Sequence, residues 1–175
     1  DQQVTGNNGL KDFWIAELAF NGVFQQGFCF GGSADDEMKT FIDKGSSLYI
    51  AGGTFSSDGD VSLNHGAEDM WVLRSSYNGV ILYEATFGGA GSESATSINR
   101  TVDLELVLTA RTNSNDGDVY GNHGGGNDIL ILKTGECTAA DTPTPIILSQ
   151  NSTCAGSNVT LAIGTGSLNS AVDWF

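Results

Sequence analysis

Two acidic loops of the chain carry the residue types that bind hard cations. Calcium prefers carboxylate and amide oxygens as ligands. Such residues are clustered in the first loop as Asp58-Gly59-Asp60, Asn64 and Asp69, and in the second as Asp116-Gly117-Asp118, Asn122 and Asp128. The candidate metal ligands are therefore Asp58, Asp60, Asp69, Asp116, Asp118 and Asp128, and Ca²⁺ is the only candidate cofactor.

The spacing of these loops leaves a second interpretation open. The helical calcium loop has acidic or amide ligands at its first, third and fifth positions, Gly at the sixth and Glu at the twelfth. Here the fifth position is Ser62 or Tyr120, and the sixth is Leu63 or Gly121. Alternatively, the Asp and Asn side chains accept backbone hydrogen bonds in tight turns where Gly supplies a positive φ. The turn interpretation is favoured.

His65 and His123 are the chain's two histidines and occupy equivalent places in the two loops. Catalysis usually needs an asymmetric set of base, orienting group and nucleophile in one pocket. Equivalent residues in successive loops indicate a structural role, such as a ring nitrogen bonded to a neighbouring loop. No second His or Cys lies at zinc-ligand spacing. The sequence thus predicts no catalytic residue and no enzyme.

An internal repeat must position these loops. Asn21-Gly22-Val23 recurs as Asn78-Gly79-Val80, and Phe30-Gly31-Gly32 recurs as Phe87-Gly88-Gly89, at an offset of 57 residues. The acidic loops recur at an offset of 58. Such a period is typical of supersecondary units that bury their apolar faces only against one another.

One repeat predicts four strands: 71–74, 80–83, about 95–100 and 104–112. Asn78-Gly79 between the first two predicts a two-residue type I′ hairpin, as does Asn21-Gly22. The range 36–43 has apolar spacing that would also fit a short helix, but its repeat counterpart reads as a strand. The predicted fold is all-β, with β-propeller-type four-stranded repeats of about 58 residues.

The number of repeats leaves the arrangement open. A propeller needs about four blades or more, whereas the chain holds a partial unit, two full units and a closing strand within residues 1–134. It is therefore either a piece of a longer propeller, which is favoured, or an open array. Trp14 and Trp71 are repeat equivalents whose place at a strand start suits packing between units.

The composition changes after the repeats. Residues 135–145 contain both prolines of the chain and predict a linker. Residues 146–175 predict the start of an Ig-like β-sandwich, with strands at 146–148, 159–163 and 171–175. Cys154 followed by Trp174 has the order of the first core Cys and core Trp of such a domain. Cys154 pairs either with Cys137 or within its own domain, and Cys29 is predicted to be a buried thiol.

The charge excludes two classes of partner. Seven Lys and Arg residues against 21 Asp and Glu give a formal net charge of −14. This charge repels nucleic acid and anionic membrane surfaces. No apolar run approaches the roughly 20 residues that span a bilayer, so we expect no direct membrane insertion.

Five motifs of the first repeat are distinctive: Gly31–Asp36, Leu48–Thr54, Ser57–Val61, Asn64-His65-Gly66 and Asp69–Val72. With these motifs the repeats resemble those of secreted Bacteroidetes β-propeller proteins. Residues from 145 onward resemble the start of the Ig-like modules that follow such repeats in surface proteins, many of which carry a type IX secretion sorting domain. The resemblance implies a multidomain protein that is extracellular or at the cell surface.

These observations predict a non-catalytic, exported surface repeat protein that acts in adhesion or extracellular assembly through loops displayed on a propeller. One alternative is a propeller that binds or degrades extracellular polysaccharide. Another is a structural component of a surface complex or filament. The predicted partners are other surface proteins or glycans.

Overall fold

The computed structural model describes residues 6–102, 105–124 and 126–134, and the backbone of two short strands at 153–154 and 157–158. In these ranges all regular elements are β-strands, which confirms the all-β prediction. The strands are β1 (Phe13–Leu18), β2 (Phe24–Phe30), β3 (Asp36–Asp43), β4 (Leu48–Thr54), β5 (Asp69–Ser75), β6 (Ile81–Phe87), β7 (Glu93–Arg100), β8 (Leu106–Thr112), β9 (Asp128–Thr134), β10 (Thr153–Cys154) and β11 (Ser157–Asn158).

The strands form antiparallel sheets in chain order. The first sheet is β1-β2, the middle sheet is β3-β4-β5-β6 and the third sheet is β7-β8-β9, while β10 pairs with β11.

Range 36–43 is a strand, as predicted. Met38 and Ile42 are half-buried and Phe41 is exposed, so their spacing of four residues fits alternation along a strand as well as a helical turn.

The predicted repeat boundaries differ from the sheet boundaries. Each sequence repeat holds four strands, but β5 and β6 of the second repeat belong to the middle sheet, whereas β7 and β8 belong to the third. The chain leaves the middle sheet after Phe87 and enters the third at Glu93, across the Gly88-Gly89 connection. The sequence repeat therefore spans two neighbouring sheets instead of coinciding with one.

The two Asn-Gly dipeptides form equivalent hairpin turns, although the predicted two-residue loop is wrong. Gly22 donates to the Ala19 carbonyl, and Ala19 pairs with Val23. Gly79 donates to the Ser76 carbonyl in the same way. Each loop thus has three residues and ends in a Gly with φ of 82° or 74°. This is a type I turn closed by a bulge, which needs one positive φ instead of two.

Two apolar clusters hold the three sheets together. One joins the first and middle sheets through Phe13, Phe30, Ile50, Trp71 and Leu73. The other joins the middle and third sheets, with Tyr49, Met70, Val72, Ile98, Leu108, Leu130 and Leu132 among its members. Alternate residues of β5 face opposite clusters, so both faces of the middle sheet are buried. A sheet of this kind depends on a neighbour on each side.

Several predictions concern features outside these sheets. The linker and most of the Ig-like module, the strands at 146–148, 159–163 and 171–175, and the pairing of Cys137 and Cys154 lie outside the described residues. The sheets do not close into a ring in the described part of the chain, so the propeller stays a prediction.

Cys29 is a free thiol of intermediate exposure. No helix in the described ranges is long and apolar enough to cross a membrane.

Candidate functional site

The first acidic loop closes over the connection between the first and middle sheets. It links β4 to β5, and Val61 anchors it by burying its side chain in the core. Asp58 Oδ1 accepts a hydrogen bond from the Ser33 amide at 2.7 Å, which lowers the pKa of Asp58. Asp60 Oδ2 accepts from the Gly31 amide at 3.1 Å. These two carboxylates therefore fix the chain where it passes from one sheet to the next.

The second acidic loop does the same for the middle and third sheets. Asp116 Oδ1 accepts from the Ala90 amide at 2.7 Å, and Asp118 Oδ2 accepts from the Gly88 amide at 3.4 Å. The turn interpretation expected backbone amides as donors, and the structure has them. They belong, however, to a connection more than twenty residues away in sequence, so the loops join sheets as well as forming turns.

A buried acidic side chain is the first residue of the first strand in both the middle and the third sheet. Asp36 begins β3 and Glu93 begins β7, and they are 1 % and 0 % exposed. Glu93 accepts hydrogen bonds from the Thr112 hydroxyl at 2.6 Å, the Ser114 amide at 3.3 Å and the Gly89 amide at 2.8 Å. Three donors compensate much of the cost of burying this carboxylate.

Asp36 has the equivalent partners in the first repeat. Its Oδ1 accepts from the Thr54 hydroxyl, and its Oδ2 accepts from the Gly32 amide at 2.7 Å and the Ser56 hydroxyl at 2.8 Å. The sequence alone predicts no role for Asp36. The signal that marks it is an acidic residue a few residues after Gly-Gly, followed by Thr-x-Ser at the end of the next strand, as in Thr54-Phe55-Ser56.

His65 has a structural contact, as its repeated position suggested. Its backbone amide donates to Asp69 Oδ2 at 2.8 Å, and its ring Nδ1 lies 2.6 Å from the same oxygen. The partner is in the following strand rather than a neighbouring loop. His123 repeats the amide contact with Asp128 Oδ2 at 2.8 Å. Its ring is 3.5 Å from that oxygen and 91 % exposed.

The other oxygen of Asp69 has no hydrogen-bond partner although it is fully buried. Asp69 Oδ1 and Glu93 Oε2 lie 2.5 Å and 2.6 Å from the place where a side chain on Gly88 would put its Cβ. Only Gly leaves room for both carboxyl groups there. Burial is the main cause that raises the pKa of Asp69, with a smaller contribution from Glu93. Burial also raises the pKa of Asp118.

The first repeat contains a matching group of carboxyls around Gly31. Asp12 Oδ1 is buried without a partner, and it faces the Cβ position of Gly31 together with Asp36 Oδ2. Asp60 Oδ2 accepts a hydrogen bond from the Gly31 amide. Burial raises the pKa of Asp12, and the charges of Asp36 and Asp60 raise it further.

The six candidate calcium ligands therefore have different surroundings. Asp58 and Asp116 bind amides at exposed positions. Asp60 accepts from the Gly31 amide, and Asp118 accepts from the Gly88 amide. Asp69 also lies at Gly88. Asp128 begins β9, where it pairs with Thr112 of β8. In the described part of the chain, no three acidic, His or Cys side chains are arranged to hold a metal ion. Calcium binding stays a prediction.

Calcium and chelator distinguish the two interpretations of Asp60. We expect neither EDTA nor CaCl₂ to shift the melting temperature, and Asp60→Asn to have little effect, because an amide oxygen still accepts from Gly31. Asp60→Ala removes the acceptor and should cost about 1–3 kcal/mol. Thermal melts of the full chain measure both effects. A calcium-dependent rise that Asp60→Asn abolishes would instead support an ion bound by the folded state.

No protein-family model matches the chain. No curated protein matches it significantly.

Proposed function

We propose that the chain is a non-catalytic, exported surface protein that acts in adhesion or extracellular assembly, and that its sheets assemble end to end with those of a second copy. One observation carries this proposal. Side-chain positions that are buried on the middle sheet are exposed on the outer faces of the first and third sheets. The recurring acidic residues and histidines make contacts between and within repeats, so the outer faces remain for binding.

The outer face of the first sheet exposes Trp14. Its repeat equivalent Trp71 is 0 % exposed and packs against Phe13, with ring centroids 4.7 Å apart. Trp14 is 40 % exposed. The same residue type therefore lies in a core at one repeat and faces solvent at the other. A large exposed aromatic side chain on a sheet face is typical of an interaction surface.

The outer face of the third sheet exposes Ile129 and Ile131. They occupy the positions of Met70 and Val72 in the middle sheet, which are 0 % and 4 % exposed. Ile129 and Ile131 are 77 % and 40 % exposed. An open cavity of about 520 Å³ lies beside them, lined by Val119, His123, Asp128 and others. In the preceding repeat the equivalent His and Asp adjoin the Gly88 connection and Glu93.

The internal interface indicates how two copies would meet. Phe13 of the first sheet packs on Trp71 of the middle sheet. Ile129 is the repeat equivalent of Phe13, and Trp14 is that of Trp71. Ile129 of one copy would therefore pack on Trp14 of the next. Such a head-to-tail contact uses different surfaces on the two partners, so it extends into open chains unless the rotation closes a ring.

A complementation experiment tests this contact. We expect the mass of the full chain in light scattering to increase with protein concentration, and with salt because salt screens repulsion between copies of charge −14. Trp14→Glu and Ile129→Glu should each remain monomeric. Their equimolar mixture should form dimers, since each variant retains one intact face. Phe20→Glu, at a fully exposed hairpin turn, is the matched control.

Other outcomes would contradict the proposal. A wild-type chain that stays monomeric at all concentrations and salt levels excludes assembly of this kind. Self-association that persists equally in all three variants places the contact elsewhere. Binding on a glycan array by a monomeric chain would favour the polysaccharide-binding alternative.

A further inference from the structure

The open cavity on the outer face of the third sheet has two filled counterparts within the chain. We call this cavity the outer cleft, and the residues that line it include Asn122, His123, Asn127, Asp128 and Ile129. The equivalent residues before β1 and before β5 contact the segment of chain that enters the next sheet. These two connection segments are residues 30–36, which lead from β2 into β3, and residues 87–93, which lead from β6 into β7.

Backbone hydrogen bonds hold residues 87–93 against the end of the loop that precedes β5. The Ala67 amide donates to the Gly91 carbonyl at 3.1 Å, and the Glu93 amide donates to the Glu68 carbonyl at 2.5 Å. The two segments run parallel at this bridge. A segment bound in this way is recognised through its backbone, as in the addition of a strand to a sheet.

Residues 30–36 are held in the same way at the interface between the first and middle sheets. The Leu10 amide donates to the Ala34 carbonyl at 3.3 Å, and the Asp36 amide donates to the Lys11 carbonyl at 2.8 Å. The bridge is again parallel. The backbone contacts therefore recur although the side chains on both segments differ.

Glycine in the connection segment makes room for a carboxyl group of the preceding sheet. A Cβ on Gly88 would lie 2.5 Å from Asp69 Oδ1. A Cβ on Gly31 would collide with Asp12 Oδ1 in the same way. Asp128 is the third occurrence of this Asp in the repeat. A segment that enters the outer cleft therefore needs glycine at the place that faces Asp128.

The outer cleft presents the same backbone groups to solvent. Counted back from Asp128, Gly126 and Asn127 take the places of the two residues that bond the connection segments elsewhere. The Gly126 amide and the Asn127 carbonyl make no backbone hydrogen bond within the described part of the chain, and the Cβ position of Gly126 faces open space. The His123 amide donates to Asp128 Oδ2 at 2.8 Å, so the local geometry of both internal interfaces is present here.

The apolar face beside the outer cleft lacks the strand that covers its counterpart. Ala95 and Ile98 of β7 belong to the apolar cluster that contains Met70. Ile129 takes the place of Met70 in the third sheet and is 77 % exposed. A ligand that continues from a connection segment into a strand would cover Ile129 as β7 helps to cover Met70.

We propose that the outer cleft binds, in extended form, a connection segment of another polypeptide chain. The recognised pattern is Phe-Gly-Gly, three short residues and then Asp or Glu at the start of a strand, as in residues 30–36 and 87–93. The Gly126 amide donates to the carbonyl two residues before the acidic residue, and the Asn127 carbonyl accepts from the amide of the acidic residue. The cleft adjoins the face used in the proposed end-to-end assembly but does not depend on that assembly.

A peptide with the sequence of residues 87–100 is the probe. It carries a fluorescein label and is titrated with the full chain, and fluorescence anisotropy measures binding. We expect saturable binding. Gly88→Val in the peptide should weaken binding about ten-fold or more, because the added side chain meets the carboxyl group of Asp128. Gly91→Val is the matched control, because the Cβ position of Gly91 faces a loop of the third sheet that the peptide does not contain.

Variants of the chain locate the bound peptide. Gly126→Pro removes the amide donor and should weaken binding about five-fold or more. Gly126→Ala keeps the amide and should bind as wild type does, because Leu10 and Ala67 carry side chains at the equivalent place. Trp14→Glu should also bind as wild type does, so peptide binding and self-association are measured separately.

Several results would overturn the proposal. One is the absence of saturation up to about 1 mM chain. Another is equal affinity for the Gly88→Val and Gly91→Val peptides, which decides the question even if Gly126→Pro fails to fold. Unchanged binding by a folded Gly126→Pro chain would place the peptide elsewhere, such as in exchange for the chain's own residues 87–100. Loss of binding in Trp14→Glu would mean that the peptide recognises only the self-associated chain.

Discussion

Trp71→Ala is expected to lower the free energy of unfolding by about 3–5 kcal/mol, whereas Trp14→Ala should cost much less. The two tryptophans are repeat equivalents, so sequence alone gives them the same role. Trp71 is fully buried, while Trp14 is 40 % exposed. The difference between the two losses of unfolding free energy therefore measures how much burial by a neighbouring sheet adds to the stabilisation from the same side chain.

Three contacts of Trp71 are lost together in the alanine variant. Its ring packs on Phe13 at 4.7 Å between centroids. It also belongs to the apolar cluster between the first and middle sheets, with Ile50 and Leu73. Its Nε1 donates to Glu84 Oε2 at 3.0 Å. The cavity left by a large aromatic adds to the lost transfer free energy, because packed cores relax only partly.

Urea unfolding of the full chain, followed by circular dichroism, measures both variants. The expected result is a large fall in the midpoint for Trp71→Ala and a small change for Trp14→Ala. Equal losses would mean that Trp14 is as well covered as Trp71, which would contradict the exposed outer face of the first sheet. Trp71→Phe keeps most of the buried area and should recover part of the stability.

The repeat made much of the fold predictable. Short apolar runs beside turn residues located the strands, since a strand that is buried on both faces is apolar without alternation. Asn78-Gly79 located a hairpin but misled on its length, because a three-residue turn with one positive φ also ends in Asn-Gly. The sheet boundaries were not predicted. A repeating sequence can be divided into units at any starting residue, and only the pairing of the strands shows which division matches the sheets.

The site was harder to predict because its partners are distant in sequence. The acidic loops were found by residue type, but their donors lie at Gly31 and Gly88, more than twenty residues earlier. Asp36 and Glu93 differ in residue type at the same repeat position, which hides their equivalence. The unpartnered oxygen of Asp69 depends on the approach of another sheet. No local pattern contains that information.

Glu93→Ala is expected to destabilise the chain by about 2–6 kcal/mol, because it leaves two buried donors without an acceptor at about 1–3 kcal/mol each. These donors are the Thr112 hydroxyl and the Gly89 amide. The Ser114 amide loses one of its two acceptors and keeps the Thr112 hydroxyl oxygen at 3.1 Å. Losing the carboxylate thus weakens both the end of β8 and the connection into β7.

Glu93→Asp is the matched variant, because the first repeat uses Asp36 for the same contacts with Thr54, Ser56 and Gly32. It should retain most of the stability if the shorter side chain reaches the same donors. Urea unfolding separates the cases. An alanine variant with an unchanged midpoint would mean that water replaces the carboxylate, contrary to the complete burial of Glu93. Equal losses in both variants would show that the second repeat holds the longer side chain in a geometry that the first does not share.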